Sequence, residues 1–405
     1  MLAPDLIPIW SGIATYGIGL LKNMPKNVEL HVITTKRELP GVDTEKEMRS
    51  LLKELGQNVK IYPVCNATKT LWDHARFQAT CLRVLPELHK QLQFDLLHVN
   101  FPLMSEVLIT ITKRLRIPML ATIHTTIEGQ HQGVEAGEKE ISKLGQTDFA
   151  NMFLGRPLRL VEYICLSNYS KLIATSNFIK KELEIYFPFI ASRDIPVIHN
   201  GVDSELFHHT NDFGNGAIAK IHATNRPIIL FTGRFVASKG IYTLVEAIPK
   251  ILKDHPEALF VFAGGGDYKS YFKKLERKIR EANCCFLGYM PWQDMPKLYS
   301  VASVYVMPTL YESFPLRLLE SMACENAVVA TNISGIAEVV QHGENGFLMP
   351  PKDSTSLTDA INALLEDPQL SRKIGKKARD TILKGFSAKI MTRKTLDVYN
   401  EFFNK

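Results

Sequence analysis

No stretch of this chain is apolar over about 18 residues, the length that a membrane-spanning helix requires. Its amino terminus, MLAPDLIPIW, lacks the basic leader and long apolar core of a signal peptide. The sequence therefore predicts neither a membrane span nor secretion. Its six cysteines form no CxxC pair and have no histidine at a spacing that closes a zinc site, so a reducing cytoplasm fits best.

The chain also lacks a strong excess of either charge. Lys and Arg number 48 against 42 Asp and Glu, and there is no basic tail, so a nucleic-acid partner is not indicated. Hydrophobic residues make up 45% and charged residues 22%, ordinary values that exclude a disordered, collagen-like or coiled-coil chain. A length of 405 residues suits about two domains.

Short apolar runs alternate with helical patterns along almost the whole chain, which predicts parallel sheets with crossover helices. The runs of the first series are VELHVITT from Val28, VKIYPV from Val59, DLLHVN from Asp95, PMLATIH from Pro118, KLIATS from Lys171 and IPVIHNG from Ile195. The runs of the second series are PIILFTGRF from Pro227, ALFVFAG from Ala258, CCFLGY from Cys284, SVYVMP from Ser303, AVVATN from Ala327 and GFLMP from Gly346.

A polar, glycine-bearing segment after Gly201 separates the two series. We therefore expect two doubly wound, Rossmann-like α/β domains, residues 1–203 and 204–386, with residues 387–405 forming a helix that crosses back to the first domain. Because such sheets bind ligands at the carboxyl ends of their strands, the site is expected in a cleft between the domains.

The first strand of the first domain is nearly absent from the sequence. The first predicted helix, residues 13–24, follows a loop with only Met1 to Ala3 before it. In this fold that strand is normally central. Either the start of the chain is truncated, or the sheet is built with a stub.

The segment GRFVASKG, residues 233–240, follows an apolar strand and precedes an amphipathic helix. Arg234 and Lys239 thus lie in a loop at a strand end, where a guanidinium can hold phosphate oxygens bidentately and an ammonium adds a point charge. The segment does not satisfy the P-loop pattern. Taken alone, the segment favours an ordinary strand-to-helix turn whose basic side chains are solvated.

A second segment, LYESFPLRLLESMA, carries Glu312 and Glu320 eight residues apart. Pro315 predicts a helix start, which places Glu312 in the preceding loop and Glu320 in the second turn. The helix amino terminus suits an anion, and carboxylates accept hydrogen bonds from vicinal sugar hydroxyls. Taken singly, such carboxylates more often cap a helix or lie on its solvent-exposed face. Together with Arg234 and Lys239, they favour a binding site for a sugar and a phosphate.

At this point the sequence resembles the retaining glycosyltransferases of the GT-B fold, in glycosyltransferase family 4 (glycosyl transferases group 1). The family's E-x7-E element matches ESFPLRLLE, its G-R-x(4)-K-G element matches GRFVASKG, and its interdomain signature resembles VIHNGVDSELF, residues 197–207. Further similar segments, among them SGIATYGIGLL, IHTT, FAGGGD and FLGYMPWQDM, extend the resemblance over nearly the whole chain.

The resemblance implies a hexose-type sugar transferred from a nucleotide-diphosphate-sugar to an acceptor hydroxyl with retention. Arg234 and Lys239 would bind the diphosphate, Glu320 the ribose hydroxyls, and Glu312 the donor sugar. His124 would lie near the transferred sugar, although a lone histidine is more often a satisfied core residue. The remaining expected donor contacts are Gly12, Gly233, Gly264, Gly265, Gly288, Tyr289, Met290, Ser313, Phe314 and Leu316.

Three departures from the family pattern stand out. Ser11 precedes Gly12 where the family often has two glycines, and Pro315 replaces a common Gly, so it has no N–H to offer an anion. After Cys324 the chain reads Glu-Asn-Ala where a Gly and a Pro are common. None of these changes removes a charged group.

No D-x-D occurs, so the acidic metal clamp of the other main glycosyltransferase fold is missing and cationic side chains must neutralise the leaving diphosphate. We expect no metal requirement and no cofactor. A nucleotide-sugar 2-epimerase on the same fold and a non-catalytic nucleotide-sugar-binding subunit stay open as alternatives. An epimerase would convert UDP-N-acetylglucosamine without an acceptor, and a binding subunit would bind donor without transfer.

The donor is expected to be a UDP-sugar first and GDP-mannose second, on family frequency. The acceptor, a glycan, lipid or small molecule, is expected on the first domain, with residues 125–149 and the helix from Leu71 as candidate walls. Basic helices from Lys269 and Arg372 leave peripheral contact with the inner face of a membrane open, although a solvated face is the default for such charge runs.

Overall fold

A computed structural model of the chain describes residues 1–4, 6, 11–37, 43–67, 71–100, 106–113, 115–137 and 158–403. The chain divides into two compact units. Unit 1 comprises Met1–Glu128, Leu154–Gly201 and Ala388–Lys405, and unit 2 comprises Gly129–Phe153 and Val202–Ser387. The division between the units falls at Gly201, two residues before the predicted boundary, and the described residues 129–137 group with unit 2.

Unit 1 alternates parallel strands with helices. Its elements up to the division are α1 Gly12–Lys22, β1 Leu30–Arg37, α2 Thr44–Glu54, β2 Val59–Ala67, α3 Leu71–Leu92, β3 Leu97–Val99, α4 Val107–Thr112, β4 Met119–Ile123, α5 Ile127–Gly137, α6 158–168, β5 Lys171–Ala174 and α7 Asn177–Tyr186. The last four-fifths of α5 belong to unit 2 because that unit includes the chain from Gly129.

The amino-terminal segment links two groups of strands in unit 1. Two strands pair as β1–β2 and three as β3–β4–β5, all parallel. Leu2 lies between the two groups and forms parallel bridges to Ile33 and Val99, with its N–H donating to the His98 carbonyl at 2.8 Å. Leu2 thus occupies a central position between the two groups of strands as a short stub, and it is fully buried there.

Residues 195–201 do not form the sixth strand that their apolar pattern predicts. Only Val197 bridges to Ala174, because Pro196 has no N–H to contribute to a ladder. Its carbonyl still accepts a hydrogen bond from the Ala174 N–H at 3.0 Å. The segment leads directly to the division at Gly201.

The core of unit 1 rests on one face of α3. Phe77, Cys81 and Leu85 recur every four residues, so they line one stripe of the helix, and each is at most 1% exposed. They pack with the apolar residues of β3 to β5. Burying a side chain of this size contributes roughly 1.5–3 kcal/mol.

Unit 2 contains a six-stranded parallel sheet in the order β11-β10-β9-β6-β7-β8. Its elements are α8 Ala217–His222, β6 Ile228–Thr232, α9 Ile241–Asp254, β7 Leu259–Ala263, α10 Tyr268–Tyr271, α11 Arg277–Asn283, β8 Cys284–Gly288, α12 Met295–Ser300, β9 Val304–Met307, α13 Leu316–Ala323, β10 Val328–Thr331, β11 Phe347–Met349, α14 Ser354–Glu366 and α15 Pro368–Gly385. The apolar runs of the second series are thus all strands. Helix α9 buries Ile241, Leu244, Ile248 and Ile251 on the face that covers this sheet.

The last helix, α16 (Ala388–Asn400), belongs to unit 1 and packs on α1. Gly19 makes this approach close, since a Cβ there would lie 3.3 Å from the Ala388 Cβ. Tyr399 donates or accepts a 2.6 Å hydrogen bond with His98 Nδ1. The end of the chain is therefore part of the first sheet's helical layer. No described helix is both long and apolar enough to span a bilayer.

Candidate active site

Glycines at the carboxyl ends of three strands of unit 2 contact one another: Gly233 follows β6, Gly264 follows β7 and Gly288 is the last residue of β8. The Gly233 N–H donates to the Ala263 carbonyl at 2.9 Å, and the Gly264 N–H donates to the Gly288 carbonyl at 2.7 Å. A Cβ on Gly264 would lie 1.8 Å from the Gly233 oxygen, and its φ of 149° favours glycine. The carboxyl ends of β6, β7 and β8 therefore present a backbone surface without side chains at these glycines. The exposed Gly265 lies beside this surface, and its carbonyl accepts a hydrogen bond from the Phe235 N–H at 2.8 Å.

The loop between β6 and α9, residues 233–240, presents the two predicted cations differently. The Arg234 side chain is exposed and makes no hydrogen bond or ion pair within the described part of the chain. Lys239 ends a short 3-10 turn, Ala237–Lys239, and is followed by Gly240 at φ 69°. A Cβ on Gly240 would lie 1.8 Å from the Pro308 oxygen, so glycine allows this loop to lie against the end of β9.

Lys239 and Glu312 form an ion pair. The distance from Lys239 Nζ to Glu312 Oε2 is 2.6 Å, and the side chains are 27% and 17% exposed. Two further contacts hold the loops together, because Ser238 O accepts from the Leu310 N–H at 2.8 Å and from the Thr309 hydroxyl at 2.9 Å. Two predicted site residues that are far apart in sequence are thus direct partners.

The residues after Glu312 are fixed by the turn that follows β10. The Gly335 N–H donates to the Glu312 carbonyl at 3.3 Å, and a Cβ on Gly335 would lie 2.2 Å from the Ser313 oxygen. Phe314 is 4% exposed and packs against Phe386 with ring centroids 6.0 Å apart. This packing orients the backbone from Ser313 to Phe314 at the start of α13.

Helix α13 begins as the proline predicts, with Pro315 as its N-cap and Leu316 as its first residue. Glu320 lies in the second turn and is fully buried. Arg317 Nη1 donates to both of its oxygens, at 3.0 and 2.8 Å, and the Tyr299 hydroxyl donates to Oε2 at 2.9 Å. The predicted ribose-binding carboxylate is therefore enclosed by protein donors in this structure.

These contacts also shift the titration of the groups around Glu320. Burial lowers the pKa of Arg317, but the Glu320 charge outweighs it, so the pKa is raised above its usual value. Burial and the same carboxylate raise the pKa of Tyr299 well above its usual value. Arg317 is thus a cation and Tyr299 a neutral donor across the physiological range.

Tyr289 and Met290 follow β8, beside the Gly264 to Gly288 contact. Tyr289 is 36% exposed, and Met290 is half-buried. Both therefore lie at the carboxyl edge of the sheet, where the family resemblance implies donor contacts.

The two remaining predicted residues, Gly12 and His124, belong to unit 1. Gly12 is the first residue of α1, and Ser11, which replaces a family glycine, caps that helix by accepting from the Ala14 N–H at 3.1 Å. His124 directly follows β4 and is 7% exposed. Burial lowers its pKa to about 3, so the imidazole is neutral at physiological pH.

Helix α5 contributes to unit 2 through its glycines. A Cβ on Gly137 would lie 2.4 Å from Ser238 N, and one on Gly133 would lie 2.9 Å from the Tyr311 Cβ. The helix therefore packs directly on the loops that carry Lys239 and Glu312. Of the predicted acceptor wall at residues 125–149, residues 138–149 lie outside the described residues.

Among the described residues, no group of three or more His, Cys, Asp and Glu side chains is arranged to hold a metal ion. The candidate site of unit 2 consists instead of three cations and two carboxylates, with backbone glycines beside them. Sequence reasoning missed Arg317 and Tyr299. The i, i+3 spacing of Arg317 and Glu320 on α13 was the available signal.

Two family models match adjacent parts of the chain. Residues 10–206 match Glycosyltransferase Family 4, and residues 217–381 match Glycosyl transferases group 1. An uncharacterized glycosyltransferase of Methanocaldococcus jannaschii is 26% identical over 407 residues, covering 96% of this chain and 94% of the relative. Glycogen synthase of Mycobacterium tuberculosis is 27% identical over 307 residues, covering 75% of this chain and 68% of the relative.

Solved structures share the whole fold. Sucrose-phosphate synthase of Thermosynechococcus elongatus superposes with a TM-score of 0.79 at 22% identity, over 100% of this chain and 98% of that one. Anabaena HepE, in complex with UDP and glucose, gives a TM-score of 0.70 at 20% identity, over 98% of both chains. The chain therefore has the GT-B fold, which confirms the predicted fold class.

The two family matches and the fold agree in class. This protein is a glycosyltransferase, built from a glycosyltransferase family 4 domain followed by a group 1 domain.

Proposed function

We propose that this glycosyltransferase moves a hexose-type sugar from a nucleotide-diphosphate-sugar to an acceptor hydroxyl with retention of anomeric configuration and without a metal ion. The observation that carries the proposal is the 2.6 Å pair of Lys239 and Glu312 beside the unengaged Arg234. A cation for phosphate and a carboxylate for sugar hydroxyls are then neighbours at one sheet edge.

The cations supply the charge stabilisation. As the anomeric C–O bond lengthens, negative charge collects on the diphosphate and the sugar becomes oxocarbenium-like. Lys239 has three N–H donors, so it can keep its bond to Glu312 and donate to a phosphate oxygen as well. Arg234 is exposed and can approach the phosphates in a bidentate manner.

Retention follows from a front-face transfer. The bond from the anomeric carbon to the diphosphate oxygen breaks, and the acceptor oxygen bonds to the same face of that carbon. The acceptor proton passes to the departing phosphate, so that charge and protons balance without an additional base. Glu312 holds the donor sugar by accepting from its hydroxyls, and Gly12 and His124 stay assigned to the donor by family resemblance.

Glu320 binds the ribose only after its present contacts change. Both of its oxygens accept from Arg317, and the carboxylate is fully buried. We therefore propose that donor binding moves the Arg317 guanidinium, which is 24% exposed, off one oxygen. The freed oxygen then accepts from a ribose hydroxyl while Tyr299 keeps the other end of the carboxylate in place.

We propose that the nucleotide of the donor is UDP. Anabaena HepE shares the fold and was solved with UDP-glucose, at a TM-score of 0.69. GDP-mannose is the second choice, on family frequency. Tyr289, exposed beside Gly288, would lie against the base.

A thermal-shift panel of UDP-sugars, GDP-mannose and the free nucleotides tests the donor. A ligand at about a hundred times its Kd adds roughly 2.7 kcal/mol of stability, which shifts Tm measurably. The hit is then incubated with candidate acceptors in EDTA, and the product anomer is read by proton NMR. An inverted product, transfer abolished by EDTA, or 2-epimerisation of UDP-N-acetylglucosamine without acceptor would each refute the proposal.

A further inference from the structure

His124 is oriented from two sides within unit 1. Its Nε2 lies 3.3 Å from Oδ1 of Asn100, and the ring of Tyr16 meets it edge-on, with centroids 4.7 Å apart at 79°. Tyr16 is itself fixed by a 3.1 Å hydrogen bond between its hydroxyl and that of Thr122. The imidazole therefore has one defined position at the end of β4.

The second contact of Asn100 determines which way its amide points. Asn100 Nδ2 lies 3.4 Å from the carbonyl oxygen of Ile13, which can only accept a hydrogen bond. The amide nitrogen must therefore face Ile13, and the amide oxygen must face His124. Since Oδ1 can only accept, the proton of the neutral imidazole has to be on Nε2, and Nδ1 carries the lone pair.

We propose that Asn100 is a positioning residue for the transfer reaction: it holds His124 as the Nε2–H tautomer, with Nδ1 ready to accept from a hydroxyl of the transferred sugar. The proposal rests on the proposed function, because it assigns the sugar contact to His124. It adds that the same amide ties His124 to Ile13, the residue after Gly12. One side chain thus holds both of the donor-facing elements that the sequence predicts in this unit.

The surroundings support a fixed tautomer. Asn100 is 1% exposed and His124 is 7% exposed, so water does not compete for either hydrogen bond. Within the described part of the chain, the Asn100 oxygen is the one hydrogen-bond partner of the imidazole. If Nδ1 carried the proton instead, two acceptors would face each other at Nε2, which is costly in a buried site.

The tautomer is tested by NMR, independently of activity. Histidine labelled with ¹⁵N is incorporated into the full chain, and the His124 ring is assigned as the signal lost in His124→Gln. We expect a protonated Nε2 and an unprotonated Nδ1 in the wild type. Asn100→Asp retains an acceptor for Nε2–H and keeps this pattern, whereas Asn100→Ala gives a mixture of tautomers. A wild-type Nδ1–H tautomer overturns the proposal.

Steady-state kinetics test the positioning role. Asn100→Ala is expected to lower kcat at least about tenfold, the scale for partners that orient a functional imidazole, with Asn100→Asp in between. KM for the donor should stay within about twofold, because the proposed diphosphate contacts belong to unit 2. Asn345→Ala is the matched control, since Asn345 is 2% exposed and both its amide oxygen and its amide nitrogen are hydrogen-bonded, but it caps a turn outside the site.

The two failures are distinguishable. A wild type that neither transfers nor hydrolyses any nucleotide-sugar refutes the proposed function, and the NMR experiment still decides the tautomer. An active wild type with unchanged kcat in Asn100→Ala refutes the positioning role. A loss of kcat that Asn345→Ala reproduces at equal Tm refutes it too, because the effect then reflects lost stability.

Discussion

Replacing Lys239 by Met tests the central charge of the site. The substitution removes the ammonium that lies 2.6 Å from Glu312 and keeps an unbranched side chain of similar length. If Lys239 stabilises the leaving diphosphate, kcat should fall about a hundredfold, or roughly 2.7 kcal/mol of transition-state stabilisation. KM for the donor should change less, since the proposed contact of Arg234 with the phosphates remains.

The same change also has a calculable effect on stability. The Lys239 and Glu312 side chains are 27% and 17% exposed, so the pair is intermediate between an exposed and a buried ion pair. An exposed pair contributes 0 to about 1 kcal/mol to the free energy of unfolding, and loss of one partner of a buried pair costs about 3–5 kcal/mol. A double-mutant cycle with Glu312→Gln should therefore give a coupling of about 1–2 kcal/mol in the free energy of unfolding.

Single-turnover assays at saturating donor separate the two effects, because they report chemistry on protein that has been shown to be folded. Lys250→Met is the control: Lys250 Nζ donates to the hydroxyls of Ser354 and Thr355, each at 3.0 Å, away from the site. Turnover in Lys239→Met within about twofold of the wild type, with Lys250→Met also unchanged, would refute the assigned role.

Three further predictions concern stability and loop packing. Burial raises the pKa of Glu162 from 4.5 to about 8, so between about pH 5 and 8 the folded state holds a proton that the unfolded state has lost. The free energy of unfolding should therefore fall by as much as about 1.4 kcal/mol for each unit by which the pH rises across that range. Urea unfolding of Glu162→Gln should lack this pH dependence, and an equal dependence would contradict the assignment. Gly137→Val, whose Cβ would lie 2.4 Å from a backbone nitrogen of the loop between β6 and α9, should lower kcat/KM about tenfold, whereas Gly385→Val, with no atom within 4 Å, should not. Arg317→Met leaves the buried Glu320 without its cation and should cost about 3 kcal/mol of unfolding free energy, partly restored in the double variant with Glu320→Gln; an unchanged Tm would count against the pair.

The fold could be predicted where one local pattern decides it. Helix α3 begins at Leu71, as the sequence predicts, and its apolar residues recur every four positions on one face. Residues 195–201 share the apolar character of a strand, but Pro196 cannot donate to a ladder, so hydrogen bonding overrides the pattern. The central stub at Leu2 depends on two partners, Ile33 and Val99, that no local signal identifies.

The sequence identifies the residue types of the candidate site but not their pairings. The sequence identifies Lys239 and Glu312 as charged groups at strand ends, but their contact joins positions 73 residues apart and depends on Gly240 fitting against Pro308. The orientation of Asn100 likewise follows from a carbonyl of α1 that comes close only in the folded sheet.

On the proposed function, the ion pairs of unit 2 predict how donor affinity and turnover are divided between its cations. Glu312 is paired with Lys239 and Glu320 with Arg317, so each carboxylate is neutralised and its partner held in place before any ligand arrives. Among the three cations of the candidate site, Arg234 alone has no partner in the described part of the chain. On the proposed function, we therefore expect Arg234 to make the first contact with an incoming diphosphate and to set donor affinity. Because Glu312 already orients Lys239, little reorganisation of this side chain should be needed when negative charge develops on the leaving group. Its loss should therefore appear in kcat rather than in KM.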